Sequence, residues 1–159
     1  MTGLDRAMKV VSDTSCITTL VKAGRADLLQ RLFRSVIIPP GVAKELLQFH
    51  SAIPEFISTQ EVAPLPRLAG TERLGEGEAQ AIKLSLAIQA DLLLTDDRKA
   101  LQAARRLSIP SAGLVAVLIH AKRAKHITAV AAELKLLRDG GGLYVSDSVV
   151  AAAFRIAGE

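Results

Sequence analysis

Six acidic residues sit where a chain of this pattern can do chemistry: Asp13, Glu45, Glu76, Glu78, Asp96 and Asp97. Asp13 ends the apolar run Lys9-Val10-Val11-Ser12, and Asp96-Asp97 end the run Asp91-Leu92-Leu93-Leu94-Thr95. Short apolar runs of this kind read as buried strands, and in open parallel sheets ligands bind beyond the carboxyl ends of the strands. Glu45 falls on a helix that starts at Pro40, while Glu76 and Glu78 sit at the start of the helix after the Gly75-Glu76-Gly77-Glu78 turn, where the positive helix terminus favours carboxylates. Carboxylates gathered within roughly 4 Å repel by about 4 kcal/mol per pair at an effective dielectric near 20, so such a cluster persists only with positive charge among them. Mg2+ or Mn2+, which prefer carboxylate and water oxygens, meet that need, and such ions activate water and neutralise charge on a phosphodiester. The expected chemistry is phosphodiester hydrolysis.

Each acid also has a plainer role open to it. Asp13 suits the N-cap of the helix that follows, a task that Ser15 can share. Glu45 can be a solvated surface residue, and Glu76 and Glu78 can simply complement a helix dipole. In Asp96-Asp97, which precedes a helix from Arg98, the expected division is that one aspartate caps and the other meets metal.

The elements that must position these acids follow from the spacing of apolar residues. A helix is expected from Thr14 or Ser15 to about Ala23, closed by Gly24, and another over Ala26 to Phe33. Val36-Ile37-Ile38 is a β-branched strand stopped by Pro39-Pro40, and in the helix after it Val42, Leu46 and Leu47 are expected to face the core. Ser51 to Gly70, with three prolines, is the least regular stretch, with one edge strand expected around Phe56 to Val62. Helices are expected over Gly77 to Gln89, Arg98 to Leu107, Leu114 to Lys125 and Ile127 to Arg138, with a last one from Ser146-Asp147 and a short strand at Ile109-Pro110. Strands alternating with helices, and no tight hairpin signal, predict an α/β fold: a mainly parallel central sheet with helices on both faces. Residues 1–8 are expected to be a flexible extension and 9–157 the domain itself.

Composition narrows the function classes. The chain of 159 residues is 50% hydrophobic, enough for one core without disulfides. No apolar run reaches the roughly 20 residues of a membrane span, and the lone Cys16 suits a reducing compartment, so a cytoplasmic protein is expected. A formal charge of +4 allows a polyanionic partner. With four Phe, one Tyr and no Trp there is little to stack bases on, so contact with RNA should run through phosphate. Arg98, Lys99, Arg105 and Lys122, in a basic second half, are the candidates for that contact, or else a solvated charged face. His50, His120 and His126 show no ligand spacing, which argues against zinc, and His120, on an apolar helix, is expected in the core. Cys16 lies near a helix N-terminus, which can lower a thiol pKa, but with no histidine partner plain burial is preferred. Gly140-Gly141-Gly142 lacks the Lys-Ser/Thr sequel of a P-loop and reads as a turn.

Taken in order, Val10-Val11-Ser12-Asp13-Thr14-Ser15, Val36-Ile37-Ile38-Pro39-Pro40-Gly41-Val42 with Glu45-Leu46, Gly75-Glu76-Gly77-Glu78-Ala79 and Leu92-Leu93-Leu94-Thr95-Asp96-Asp97 resemble the PIN-domain family. Within it they are most similar to the compact prokaryotic branch related to VapC-like toxins. The resemblance runs from about Lys9 to Ile156. It implies a Rossmann-like sheet, an acidic pocket binding Mg2+ or Mn2+, and cleavage of single-stranded RNA. It assigns metal binding and catalysis to Asp13, Glu45, Glu78 and Asp97, with Asp96 as the alternative fourth ligand, and supporting places to Ser15 and Glu76. It also implies a toxin of a toxin–antitoxin pair, a small antitoxin over the pocket, and a homodimer. Two positions depart from the pattern: Cys16 stands where this branch more often has proline, and Glu78 where many members carry aspartate. A degenerate PIN domain that binds nucleic acid or protein without cutting is the alternative. A phosphatase with Asp13 as nucleophile needs a second aspartate two positions on, where Ser15 stands.

Overall fold

The computed structural model describes residues 8–63, 68 and 70–159. Along them run β1 (Val10–Ser12), α1 (Thr14–Lys22), α2 (Asp27–Phe33), β2 (Val36–Ile38), α3 (Pro40–Phe49), β3 (Ile57–Thr59), α4 (Glu76–Ala87), β4 (Leu92–Leu94), α5 (Arg98–Arg106), β5 (Ser111–Ala112), α6 (Leu114–Arg123), α7 (Val130–Asp139) and α8 (Asp147–Ala157). The strands form one sheet in the order β3-β2-β1-β4-β5, and every pairing is parallel. The chain winds outward from β1 through β2 and β3 on one side, and through β4 and β5 on the other. The order therefore reverses between β1 and β4, the crevice where open α/β sheets place their ligands.

Alternation along the strands divides the interior in two. Val10, Val36, Ile38 and Leu94 face a core of large aliphatic side chains that includes Leu20, Leu29, Leu114 and Leu118. Each such leucine, fully buried, contributes roughly 1.5–3 kcal/mol. Val11 and Leu93 face the other way, onto Ala81, Ala90, Ala100, Ala103 and Ala104 together with Ile82 and Leu84. Alanines let α4 and α5 approach the sheet closely, and that closeness fixes the height of the acids these elements carry. Glycines do the same between α3 and α4. The Gly41 amide of α3 donates to Gln80 Oε1 of α4 at 2.7 Å, and a Cβ at Gly77 of α4 would lie 2.5 Å from Glu45 Oε1 of α3.

The helices-on-both-faces sheet agrees with expectation, and four local expectations need correction. Leu47 is 55% exposed and does not face the core. Val42 and Leu46, four apart, already fill the buried stripe, and the next residue turns about 100° away. The fifth strand is Ser111–Ala112, not Ile109-Pro110. Proline offers no amide, and Pro110 enters the ladder only as an acceptor, its carbonyl taking the Leu93 amide at 2.8 Å. α7 starts at Val130 rather than Ile127. His120 is exposed and stacks on Phe33, with ring centroids 6.4 Å apart, instead of entering the core. Of the extension expected over 1–8, residues 1–7 lie outside the described residues. No helix among the described residues is long and apolar enough to cross a membrane.

Candidate active site

β1 ends in Asp13 because the Asp13 amide still donates to Leu94 O of β4 at 3.0 Å, while its side chain already caps α1 by accepting from the Cys16 amide at 3.0 Å. The carboxylate is buried, 2% exposed. Its other oxygen, Oδ2, accepts from the Thr95 hydroxyl at 2.6 Å and from the Ser15 hydroxyl at 3.1 Å. No cation is among these partners. Burial pushes the Asp13 carboxyl up to about 6, against the pull of the Thr95, Cys16 and Ser15 hydrogen bonds. One oxygen thus caps α1 while two hydroxyls hold the other.

β4 ends in the pair Asp96-Asp97, and the two aspartates go separate ways. Asp97 is the N-cap of α5, its Oδ1 accepting from the Ala100 amide at 2.8 Å. Its own amide donates to Thr95 Oγ1 at 3.2 Å, which aims that hydroxyl's proton at Asp13. Asp96 leans toward the sheet crevice instead. Both its oxygens accept from the Leu114 amide, at 3.2 and 3.3 Å, at the positive start of α6. The Cys16 thiol donates to Asp96 Oδ2 at 3.6 Å and also faces Asp13. Asp96 is open to solvent at the rim, yet the surrounding protein raises its carboxyl above the ordinary 3.8, offset in part by the Leu114 amide and the Cys16 thiol. A side chain at Gly113 would collide with the Asp96 carboxylate, so the glycine makes the space this acid occupies.

Cys16 therefore sits between the two strand-end acids. Burial, followed by the charges of Asp13 and Asp96, drives its thiol well above the ordinary range, the opposite of a helix-activated thiolate.

Of the helix-borne acids, Glu45 is the one joined to this pair, through Thr14. Glu45 is half-buried, and its Oε2 accepts from the Thr14 hydroxyl at 2.7 Å, one residue from Asp13. Glu78 folds back over Gly75, where a Cβ would lie 2.5 Å from its Oε2. Glu76 is exposed and accepts from Gln80 at 3.2 Å, one turn along its own helix and away from the other acids. The structure thus links Asp96, Cys16, Asp13, Thr14 and Glu45 in one continuous row, with Gly77 bringing the first turn of α4 against Glu45. Asp97, Glu76 and Glu78 lie outside that row. Among the described residues no three acids, histidines or cysteines stand close enough to share one ion. Asp96 is turned onto the Leu114 amide, Glu45 onto Thr14 and Glu78 over Gly75.

The donor set suits a hard divalent cation. It is made of carboxylate and hydroxyl oxygens, and the glycines at 75, 77 and 113 leave the room the carboxylates need. Thr14, Thr95, Gly77 and Gly113 were not singled out from sequence. The available signal was position alone, since each adjoins an acid in the chain or sits one strand across.

The basic candidates separate as well. Arg98, Lys99 and Arg105 are exposed on α5. Lys122 is occupied: its ammonium donates to Ala157 O at 2.7 Å and to Glu159 at 2.9 Å, fastening the end of α8 to α6. Its charge is thereby paired within the fold.

No curated protein gives a significant match to the chain. A family model described as a PIN domain matches residues 9–159, and PIN domains are generally nucleases that work with divalent metals. By this match over nearly its whole length, together with the all-parallel sheet and acids at its switch point, the chain belongs to the PIN-domain family.

Proposed function

We propose that the protein is a metal-dependent endoribonuclease acting on single-stranded RNA, with Asp13 and Asp96 at the centre of its site and Glu45 and Glu78 completing it. The observation that carries this is the buried Asp13 carboxylate, held by three hydrogen bonds and no cation, at the crevice between β1 and β4. Asp96 is preferred to Asp97 for the fourth position because it shares the Cys16 thiol with Asp13, whereas Asp97 is joined to neither. Mg2+ or Mn2+ bound by these acids would supply Lewis acidity toward water and neutralise phosphodiester charge. Ser15 and Thr95 hold Asp13 in one orientation, and Thr14 does the same for Glu45, so the carboxylates are ordered before any ligand arrives.

A place as the toxin of a toxin–antitoxin pair is part of this proposal. It is supported by an apolar groove of about 680 Å³ running from Asp96 past Tyr144, Val149 and Ile156. Those three side chains are 91%, 43% and 58% exposed, as a surface that a protein partner covers would be.

Purified protein should cut a mixed pool of single-stranded RNA with Mn2+ or Mg2+ and not with EDTA. Asp13→Asn should lower the rate roughly a thousandfold or more while leaving the fold intact, as expected for loss of a metal-ordering carboxylate. RNA binding with no cutting in either metal would instead favour a PIN domain that binds and does not cleave.

A further inference from the structure

We infer that a second, cationic pocket, on the face of α5 that looks toward the chain leading into α4, binds backbone phosphate of the single strand beyond the bond to be cut. This rests on the nuclease proposal and adds to it the course of the strand.

The pocket is a cavity of about 370 Å³ lined by Gly70, Glu72, Arg73, Lys99, Gln102 and Arg106, among others. Three of these are cations, all exposed, and among the described residues none is ion-paired. The one acid in the lining, Glu72, accepts from the Gly70 amide at 3.0 Å and makes no ion pair with them, so the lining is net positive. Gly70 has φ +89°, a conformation that suits glycine, and its backbone lies beside the Arg106 guanidinium.

Three cations against one carboxylate leave the concavity net positive, and an anion seated among the cations relieves their mutual repulsion. Arginine forks match phosphate oxygens in pairs. No aromatic residue lines the pocket, so it has nothing on which to stack a base, and the ligand it fits is phosphate. Lys99, Gln102 and Arg106 lie at i, i+3 and i+7 on α5, one face of the helix, spanning roughly 10 Å. α5 begins directly after Asp96-Asp97, so this stripe leads from the acid site to the far end of the helix. A strand lying across Asp13 and Asp96 and continuing along α5 meets the pocket.

The test is binding of a labelled oligouridylate to full-length Asp13→Asn protein across a salt series, where the strand is held but not cut. Arg73→Ala/Lys99→Ala/Arg106→Ala should weaken binding by about 30-fold and flatten the salt dependence by about two in log–log slope. Arg123→Ala/Lys135→Ala/Arg138→Ala removes the same charge elsewhere and should weaken it less than about threefold if the contact is local. Titration should also shift the Gly70 amide and the Arg73 and Arg106 side-chain resonances. Equal losses in the two triple variants would overturn the pocket in favour of general charge attraction. Undiminished binding in the first would overturn it outright and leave the nuclease proposal standing. If the parent Asp13→Asn protein binds no strand at all, the nucleic-acid proposal fails, and the pocket's role with it.

Discussion

The acids carried by strand ends and those carried by helices are held differently. Asp13 sits at the end of the central strand, buried, with an amide donor on one oxygen and hydroxyl donors on the other, and Asp96 is fixed against the start of α6. Glu45 and Glu78 are half-buried side chains on longer stems, the first restrained by one hydroxyl and the second resting over a glycine. A strand end cannot shift without disturbing its ladder, whereas a glutamate can change rotamer at small cost. The difference assigns the rigid part of the site to the crevice between β1 and β4, and the adaptable part to α3 and α4.

The largest expected effect separates the two neighbours after β4. Asp96→Asn should lower kcat/KM roughly a thousandfold, about 4 kcal/mol of transition-state stabilisation. Asp97→Asn should stay within a few-fold of the parent, because asparagine caps a helix about as well as aspartate. Asp97→Ala should instead cost about 1 kcal/mol of stability in denaturant unfolding. If the activity order of the two asparagine variants were reversed, the fourth position would return to Asp97.

How far this division was legible in the sequence depends on the residue. The strands around Asp13 and before Asp96 could be read because apolar runs that stop in aspartate leave few alternatives, and the alternation of helices and strands implied a parallel sheet. The choice between Asp96 and Asp97 could not be read. Adjacent residues at a strand end point to opposite sides, and which one caps depends on where α5 begins, a one-residue matter that local propensity does not resolve. Glu76 and Glu78 presented the same problem at the start of α4. The partners of Glu45 and Asp13 were illegible for another reason: Thr14 and Thr95 look like ordinary cap and strand residues until the register of β1 on β4 brings Thr95 beside Asp13. Leu47 and His120 failed because an apolar helix shows its period more clearly than the phase that meets the core.

The second prediction tests the rigid half through its ionisation. The Asp13 carboxyl is raised in the folded chain from an ordinary 3.8 to about 6. The folded state therefore holds this proton more tightly than the unfolded chain does. The associated stability is fully present below about pH 4 and is lost as pH rises through about 6, amounting to about 3 kcal/mol for the metal-free protein. Asp13→Asn should remove this component, so the parent and the variant should diverge across that window in denaturant unfolding. At neutral pH, Mn2+ or Mg2+ should restore stability to the parent and much less to the variant, since an ion favours the same ionised carboxylate that burial penalises. A pH profile identical in the two proteins would mean that Asp13 is less isolated from water than its 2% exposure implies.

The smallest effect tests the adaptable half. Thr14→Val keeps the shape of the side chain and removes the hydroxyl that restrains Glu45 at 2.7 Å. Loss of one such hydrogen bond is worth about 1 kcal/mol, which should raise the Mn2+ concentration needed for half-maximal cutting by about fivefold. The rate at saturating metal should hold, because a freed glutamate can still reach its place when the ion is abundant. Thr95→Val removes the corresponding hydroxyl from Asp13, but there the loss falls on a buried carboxylate that cannot turn to water for a replacement. Its defect should persist at saturating metal. If Thr14→Val behaved in the same way, Glu45 would belong to the rigid part of the site, and the contrast between strand-borne and helix-borne acids would not hold at α3.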